Sequence, residues 1–366
     1  MDKAAGIEAQ YKPNSLLGAI YEENLVALQL LLDQGADVNE QGGHFGNALQ
    51  AAVGILFTPV EVVRLLLDRG ADVNAQGGYY GYALQAAARN CKAEEVRLLL
   101  DKGADVNAQG GFHGNALQAA ACGFGLKLMA TTRLLLDNRA DVNAQGGTYG
   151  NALQAAASWG NVRVMQLLLD RGADLHTQGG KYGNALQAAT SCGNFVAMRL
   201  LLDRGADVNA QGGKYGNALQ AAAFKGNFVA MRLLLDEGAD VNAQGGKYGS
   251  ALQAATSKGK IEAMRFLLDK GADVNAQGGV YGTALQAAFV LKNPDDGLKK
   301  NPSLMAEILL QHGADVTTSV PGSKHGDALS AAKELWKKDE ANLAKFMKLL
   351  EIKGYKGDPP GIKPQV

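Results

Sequence analysis

The segment from Gln211 to Ala243 carries two short apolar runs set between glycines. Ala-Leu-Gln-Ala-Ala-Ala follows Asn217, a strong helix N-cap, and its small alanines allow close approach of a neighbouring helix. That run ends at Gly226. From Asn227 the chain reads Phe-Val-Ala-Met-Arg-Leu-Leu-Leu-Asp, with apolar residues at helical spacing and a stop at Gly238. The polar stretch Ala-Asp-Val-Asn-Ala-Gln-Gly-Gly-Lys-Tyr-Gly separates one helix pair from the next, and its paired glycines predict a tight hairpin. The predicted order is helix, turn, helix, hairpin.

This pattern recurs. Gly-Ala-Asp-Val-Asn or a close variant begins at Gly35, Gly70, Gly103, Arg139, Gly172, Gly205, Gly238, Gly271 and Gly313, at intervals of 35, 33, 36, 33, 33, 33, 33 and 42 residues. Such a period marks a stack of supersecondary units. The period, the Gly-Ala-Asp-Val-Asn turn and the Leu-Leu-Leu run closing the second helix resemble the ankyrin repeat family over about residues 13 to 354. The resemblance implies an all-α repeat fold, an ankyrin solenoid of about ten helix-turn-helix units joined by β-hairpin-like loops. Where the family usually has Thr-Pro-Leu-His, this chain has Asn-Ala-Leu-Gln, as at Asn151, Asn184 and Asn217. Asn still caps the helix, and Gln keeps a donor and an acceptor without an ionisable ring.

The expected layout is an N-terminal lead (1–12), an N-terminal capping repeat (13–40), eight internal repeats (41–321), a C-terminal capping repeat (322–355) and a disordered tail (356–366). The last helix pair has Trp336, Phe346 and Met347 on its apolar side. Three units exceed 33 residues, with insertions near Thr58-Pro59, around Phe124 to Leu128 and within Val290 to Pro302. All three fall between a unit's two helices, where they form loops on one side of the array.

Charge narrows the function. With 36 basic and 36 acidic residues the net charge is zero, which lacks the broad positive field of a duplex-binding protein, so no nucleic-acid partner is expected. Cys91, Cys122 and Cys192 have no paired spacing and suit a reducing compartment. Met1 to Ser15 has no apolar signal core and no run is long enough to span a membrane, so a cytoplasmic or nuclear protein without a membrane partner is expected.

Comparing units within the chain separates scaffold from surface. Asp-Val-Asn, Gln-Gly-Gly and Ala-Leu-Gln hardly change. Phe45, Tyr80, Tyr149, Tyr182, Tyr215, Tyr248 and Tyr281 share one hairpin-tip register with His113 and His325, and each ring is expected over the glycines of the adjacent hairpin. The residue before them varies: His44, Tyr79, Phe112, Thr148, Lys181, Lys214, Lys247, Val280 and Lys324. The first helices close on Arg89-Asn90, Cys122-Gly123, Ser158-Trp159, Ser191-Cys192, Phe224-Lys225 and Ser257-Lys258.

The resemblance implies that tips and helix ends line one concave face. The candidate partner-binding set on it is Tyr79, Tyr80, Phe112, Trp159, Lys181, Tyr182, Lys214, Tyr215, Phe224, Lys225, Lys247, Tyr248 and Lys258, with Tyr82 beside its N-terminal part. Neighbouring units are expected about 10 Å apart, near one screening length, so the lysines act together. Another protein with an acidic and apolar surface is the expected partner, without catalysis.

The alternative from a different class is a groove for a small anionic or aromatic ligand, with or without chemistry, formed by Lys225, Lys258, Trp159 and Phe224. Cys192 near Lys225 is the single catalytic pair worth naming; the fitting assignment is no catalytic residue, no metal and no cofactor. The Gly-Gly-x-Tyr-Gly stretches are turns, lacking the context of phosphate loops. The resemblance further implies that Asn39, Asn74, Asn107, Asn143, Asn209, Asn242 and Asn275 match the pattern modified by asparaginyl hydroxylases, and that the Gln-Gly-Gly units are similar to sensor arrays of fungal signalling proteins.

Overall fold

The computed structural model describes residues 15–289, 301–321, 323, 326–337 and 339–352. The expected lead 1–12, residues 290–300 of the last insertion, Lys324 and His325 of the tip registers, and the tail 356–366 lie outside them.

Twenty helices occur among the described residues, and the chain divides into two compact units, Met1–Asp207 and Val208–Val366. In the first unit the leading helices are Leu16–Tyr21, Ala48–Gly54, Ala83–Arg89, Ala116–Ala121, Ala152–Trp159 and Ala185–Cys192. Their partners are Leu25–Asp33, Val60–Asp68, Ala93–Asp101, Leu128–Asp137, Val162–Asp170 and Phe195–Asp203. The second unit pairs Ala218–Lys225 with Phe228–Asp236, Ala251–Ser257 with Ile261–Asp269, Ala284–Ala288 with Pro302–Gln311, and Ala328–Leu335 with Glu340–Ile352. Isolated antiparallel bridges, such as Gly110 with Gly114 and Gly245 with Gly249, close the hairpins between pairs. The fold is the all-α repeat that the spacing predicts.

Local chemistry starts each leading helix. Asn115 Oδ1 accepts the Gln118 N–H at 2.8 Å while Gln118 Oε1 accepts the Asn115 N–H at 3.0 Å, a reciprocal capping box. Asn47, Asn151, Asn184 and Asn217 repeat it, and Ser250 and Thr283 substitute for Asn. Tyr82 stands in the same place. Its N–H reaches Gln85 Oε1 at 3.3 Å, but its phenol returns no cap bond. Tyr82→Asn is therefore expected to add about 1 kcal/mol of stability, read as a higher urea midpoint; no change would mean that the ring's packing against Gly110 offsets the cap.

The same glutamines tie one repeat to the next. Buried Gln118 uses Nε2 to donate to the Ala144 and Gly150 carbonyls of the following hairpin, at 2.9 and 3.0 Å. Gln50 and Gln85 do likewise in the first unit, and Gln220 and Gln253 in the second. The amide thus satisfies three backbone groups at once, and no ionisable group takes part. Around it the alanines of the leading helices are buried almost completely, and Leu66, Leu99, Leu135, Met165 and Leu168 of the second helices are fully buried with them. In the second unit Phe289, Trp336 and Phe346 form an end cluster with ring centroids 5.0 to 5.8 Å apart.

The first insertion is held from inside. Buried Lys92 donates through Nζ to the carbonyls of Ile55 (2.7 Å), Ala52 (3.3 Å) and Thr58 (3.4 Å), with Glu95 at 3.9 Å. Burial lowers its ammonium pKa, and Glu95 opposes the shift. Phe57, at the loop's crest, is left exposed.

Candidate functional site

The hairpin tips approach one another more closely than the helices require. In the first unit Tyr79 N–H donates to the His44 carbonyl at 2.9 Å, Phe112 N–H to Tyr79 at 3.0 Å, Thr148 N–H to Phe112 at 3.0 Å and Lys181 N–H to Thr148 at 2.9 Å. Such bonds bring the tips to near β-strand spacing, about 5 Å, whereas about 10 Å was expected from helix packing. The rings follow. His44, Tyr79 and Phe112 stack in one column at 5.3 and 5.2 Å, and Phe45, Tyr80, His113 and Tyr149 in a second at 6.5, 6.2 and 6.4 Å.

The hairpin glycines adopt the positive φ expected of a tight hairpin, and they are needed for a second reason as well. A Cβ on Gly111, whose φ is +63°, would run into the carbonyl of Tyr80, and one on Gly147 into that of His113. The neighbour's backbone also needs the space, and the rings, expected over these glycines, lie on one another.

The second insertion and two helix ends converge on this edge. Arg89 Cζ lies 5.1 Å from the Phe124 ring centroid and 4.9 Å from that of Trp159, so its guanidinium is held between two rings. Trp159 Nε1 donates to Tyr149 Oη at 3.1 Å. Burial raises the pKa of Tyr79, Tyr80 and Tyr149, and the Arg89 charge opposes each shift. Burial pushes the Cys122 thiol up to about 12, again against Arg89. His113 is buried, its Nδ1 lacks a partner, and burial aided by Arg89 lowers its pKa to about 4.

Comparison of units points to the 89–90 position without singling out Arg89, and in the sequence Phe124 is only part of an insertion. A lone cation where the other repeats of the unit have Cys122, Ser158 and Ser191 is the available signal. Cys192 is exposed, with Sγ 3.5 Å from Tyr182 Oη, and Lys225 belongs to the other unit. Lys181 is exposed over the Tyr182 ring at 5.3 Å.

The second unit has its own edge. Lys247 N–H donates to the Lys214 carbonyl at 3.0 Å and Val280 N–H to Lys247 at 2.9 Å, so Lys214 and Lys247 are neighbours, and both are exposed. Each ammonium lies over its own tyrosine, at 5.8 Å for Tyr215 and 5.9 Å for Tyr248. Those two tyrosines, expected among partner contacts, are buried: Phe224 packs 5.0 Å from Tyr215 and 4.7 Å from Tyr248, and Lys258 lies 4.9 Å above Phe224. Burial, then neighbouring Tyr281 and Tyr215, push Tyr248 up to about 12. Lys225 remains exposed at the helix end.

The hairpin asparagines use both amide atoms on the following repeat. Asn74 Nδ2 donates to the Gly103 carbonyl at 3.0 Å while its Oδ1 accepts the Asp105 N–H at 2.9 Å, and Asn39, Asn107, Asn143, Asn209, Asn242 and Asn275 repeat the arrangement. No helix among the described residues is long and apolar enough to cross a membrane.

A family model described as ankyrin repeats in three copies matches residues 16–110, 84–179, 117–212, 153–245 and 186–278. Among solved structures, the ankyrin repeat domain of human ASB11 is similar at a TM-score of 0.50 and 22% identity, over 63% of this chain and 98% of that one. Comparison with curated proteins gives no match.

Proposed function

The chain belongs to the ankyrin repeat family, whose repeats generally serve protein–protein interaction, and from that premise we propose that it is a non-catalytic binding module acting through its hairpin tips and leading-helix ends. One observation carries the reading. The described residues of the aromatic ladder are buried or half-buried, whereas Tyr79, Phe112 and Trp159 keep 39%, 38% and 46% of their surface in solvent on one edge. Half-exposed aromatic rings beside cations are the composition of binding hot spots. Lys181 in the first unit, and Lys214, Lys225 and Lys247 in the second, supply local positive charge in a chain of zero net charge. The matching partner is a protein with an acidic and apolar surface; the cations steer it and the rings anchor it.

The test compares affinity capture by the native chain with capture by Tyr79→Ser/Trp159→Ala, by Lys214→Glu/Lys247→Glu, and by Val196→Ser/Val229→Ser on exposed second-helix positions. The tip variants are expected to reduce recovery of a common partner about tenfold or more. The second-helix variant keeps it. Recovery that survives both tip variants and falls with the second-helix pair would move the binding surface to the opposite side of the repeats.

A further inference from the structure

We propose that Arg89 is a seat for a carboxylate, occupied by an aspartate or glutamate side chain of the partner polypeptide and flanked there by apolar residues. The proposal rests on the protein-binding reading and deepens it for the first unit.

The guanidinium lies between the Phe124 and Trp159 rings, yet its Nη1 is buried and makes no hydrogen bond. Four cations of this unit have acidic partners on the preceding repeat: Arg69 with Asp33 (2.8 Å), Lys102 with Asp68 (3.3 Å), Arg171 with Asp137 (3.1 Å) and Arg204 with Asp170 (3.7 Å). None of the unit's ion pairs among the described residues uses Arg89. The buried Nη1 is out of a ligand's reach, but the part of the Arg89 side chain that stays in solvent carries a charge with no acidic partner in the ion pairs of this unit, and an incoming acid can neutralise it.

The ligand's chemistry follows from the fork. Arginine is only half-buried here, and its planar donors match a carboxylate in two parallel bonds. A single guanidinium matches a single negative charge. The surrounding rings argue for a polypeptide: Tyr79 and Phe112 stack at 5.2 Å and, with Phe124 and Trp159, remain substantially exposed. They offer contact to residues flanking the acid, which a free carboxylate would leave unused.

The test pans the full chain against a display library of short random peptides at moderate salt. Selected sequences are expected to share an acidic residue beside an aromatic or aliphatic one. Titration then uses a synthetic selected peptide and its acid-to-amide version against the native chain, Arg89→Gln, Arg89→Lys and Tyr79→Ser/Trp159→Ala. Arg89→Gln and the acid-to-amide change are each expected to weaken binding about tenfold or more, with little further loss when combined, because both remove one interaction. Arg89→Lys loses several-fold, since a point charge replaces the fork. The melting temperature of Arg89→Gln stays within a few degrees of native, so a loss of binding in this variant is not a loss of fold.

Peptides that need Tyr79 and Trp159 but tolerate Arg89→Gln would overturn the carboxylate seat and leave the binding face standing. Binding that depends on none of these residues would overturn both. A saturable effect of sodium acetate on tryptophan fluorescence that is lost in Arg89→Gln, with peptides indifferent to the acid-to-amide change, would assign the seat to a small carboxylate and overturn the polypeptide assignment.

Discussion

Gln220→Met is expected to lower stability by about 3 kcal/mol although the side chains have similar volume. In the native protein Gln220 is fully buried; its Oε1 accepts the Asn217 N–H at 2.7 Å, and its Nε2 donates to the Ala243 and Gly249 carbonyls at 3.2 and 2.6 Å. Methionine fills the space and offers no donor. The helix then loses half of its capping box, and the following hairpin loses the donor that fixes its two ends. Carbonyl oxygens tolerate one missing partner better than an amide does, and Gly249 keeps its bond from Gly245 at 2.8 Å, which holds the figure below three full desolvation penalties. Urea unfolding should show a lowered midpoint, and hydrogen exchange should show the hairpin from 243 to 249 losing protection first. A loss under about 1 kcal/mol would mean that the glutamine bonds are incidental to stacking.

Acid is expected to weaken the first unit through His113. The folded pKa of about 4 lies below the ordinary histidine value of 6.5, so the unfolded chain takes up a proton over a range where the folded one does not. Stability is complete above about pH 6.5, declines as pH falls, and levels off below about pH 4; between pH 7.5 and 4.5 the histidine contributes a loss of about 2.5 kcal/mol. Phenylalanine already occupies this column at Phe45, 6.5 Å from Tyr80, so His113→Phe keeps the stack and removes the titration. Asp174 and Asp315, whose pKa values are lowered by hydrogen bonds from Thr and backbone groups, also lose stabilisation on acidification. They do so in both proteins. The measurement is thus the difference: urea midpoints of native and His113→Phe should diverge between pH 7.5 and 4.5. Parallel curves would show that the imidazole is protonated in the folded stack.

Much of the fold could be read from residues whose meaning is local. Asn217 with Gln220 announces a helix start, Gly226 at φ +70° a helix end, and the repeating Gly-Ala-Asp-Val-Asn turn the length of each unit. The close spacing of the tips could not be read this way. It depends on backbone bonds such as Tyr79 N–H to the His44 carbonyl, which leave no side-chain signature. The burial of Tyr215 and Tyr248 followed a similar logic: their register was legible, but whether Phe224 would cover them depends on packing between repeats.

The Arg89 cluster was hidden for a related reason. Arg89, Phe124 and Trp159 come from three successive repeats, and each looks ordinary within its own. Phe124 reaches the guanidinium only because the second insertion carries it past the helix end. A comparison of repeats finds which positions vary, whereas this site is made by variations at different positions meeting in space.

The bonds of the capping-box glutamines and the hairpin asparagines have a direction, whereas Asn90, Asn161 and Asn194 at the helix turns donate back to the preceding repeat. Gln50 serves the carbonyls of Ala75 and Gly81, and Asn39 serves Gly70 and Asp72; in each case the side chain belongs to the earlier repeat and the backbone it satisfies to the later one. Within a unit, each later hairpin is therefore completed on side chains, donating and accepting, that precede it in the chain. During synthesis on the ribosome the preceding repeat is already outside when the next emerges, so each new hairpin meets a prepared template. The polarity of these hairpin bonds and the polarity of translation coincide.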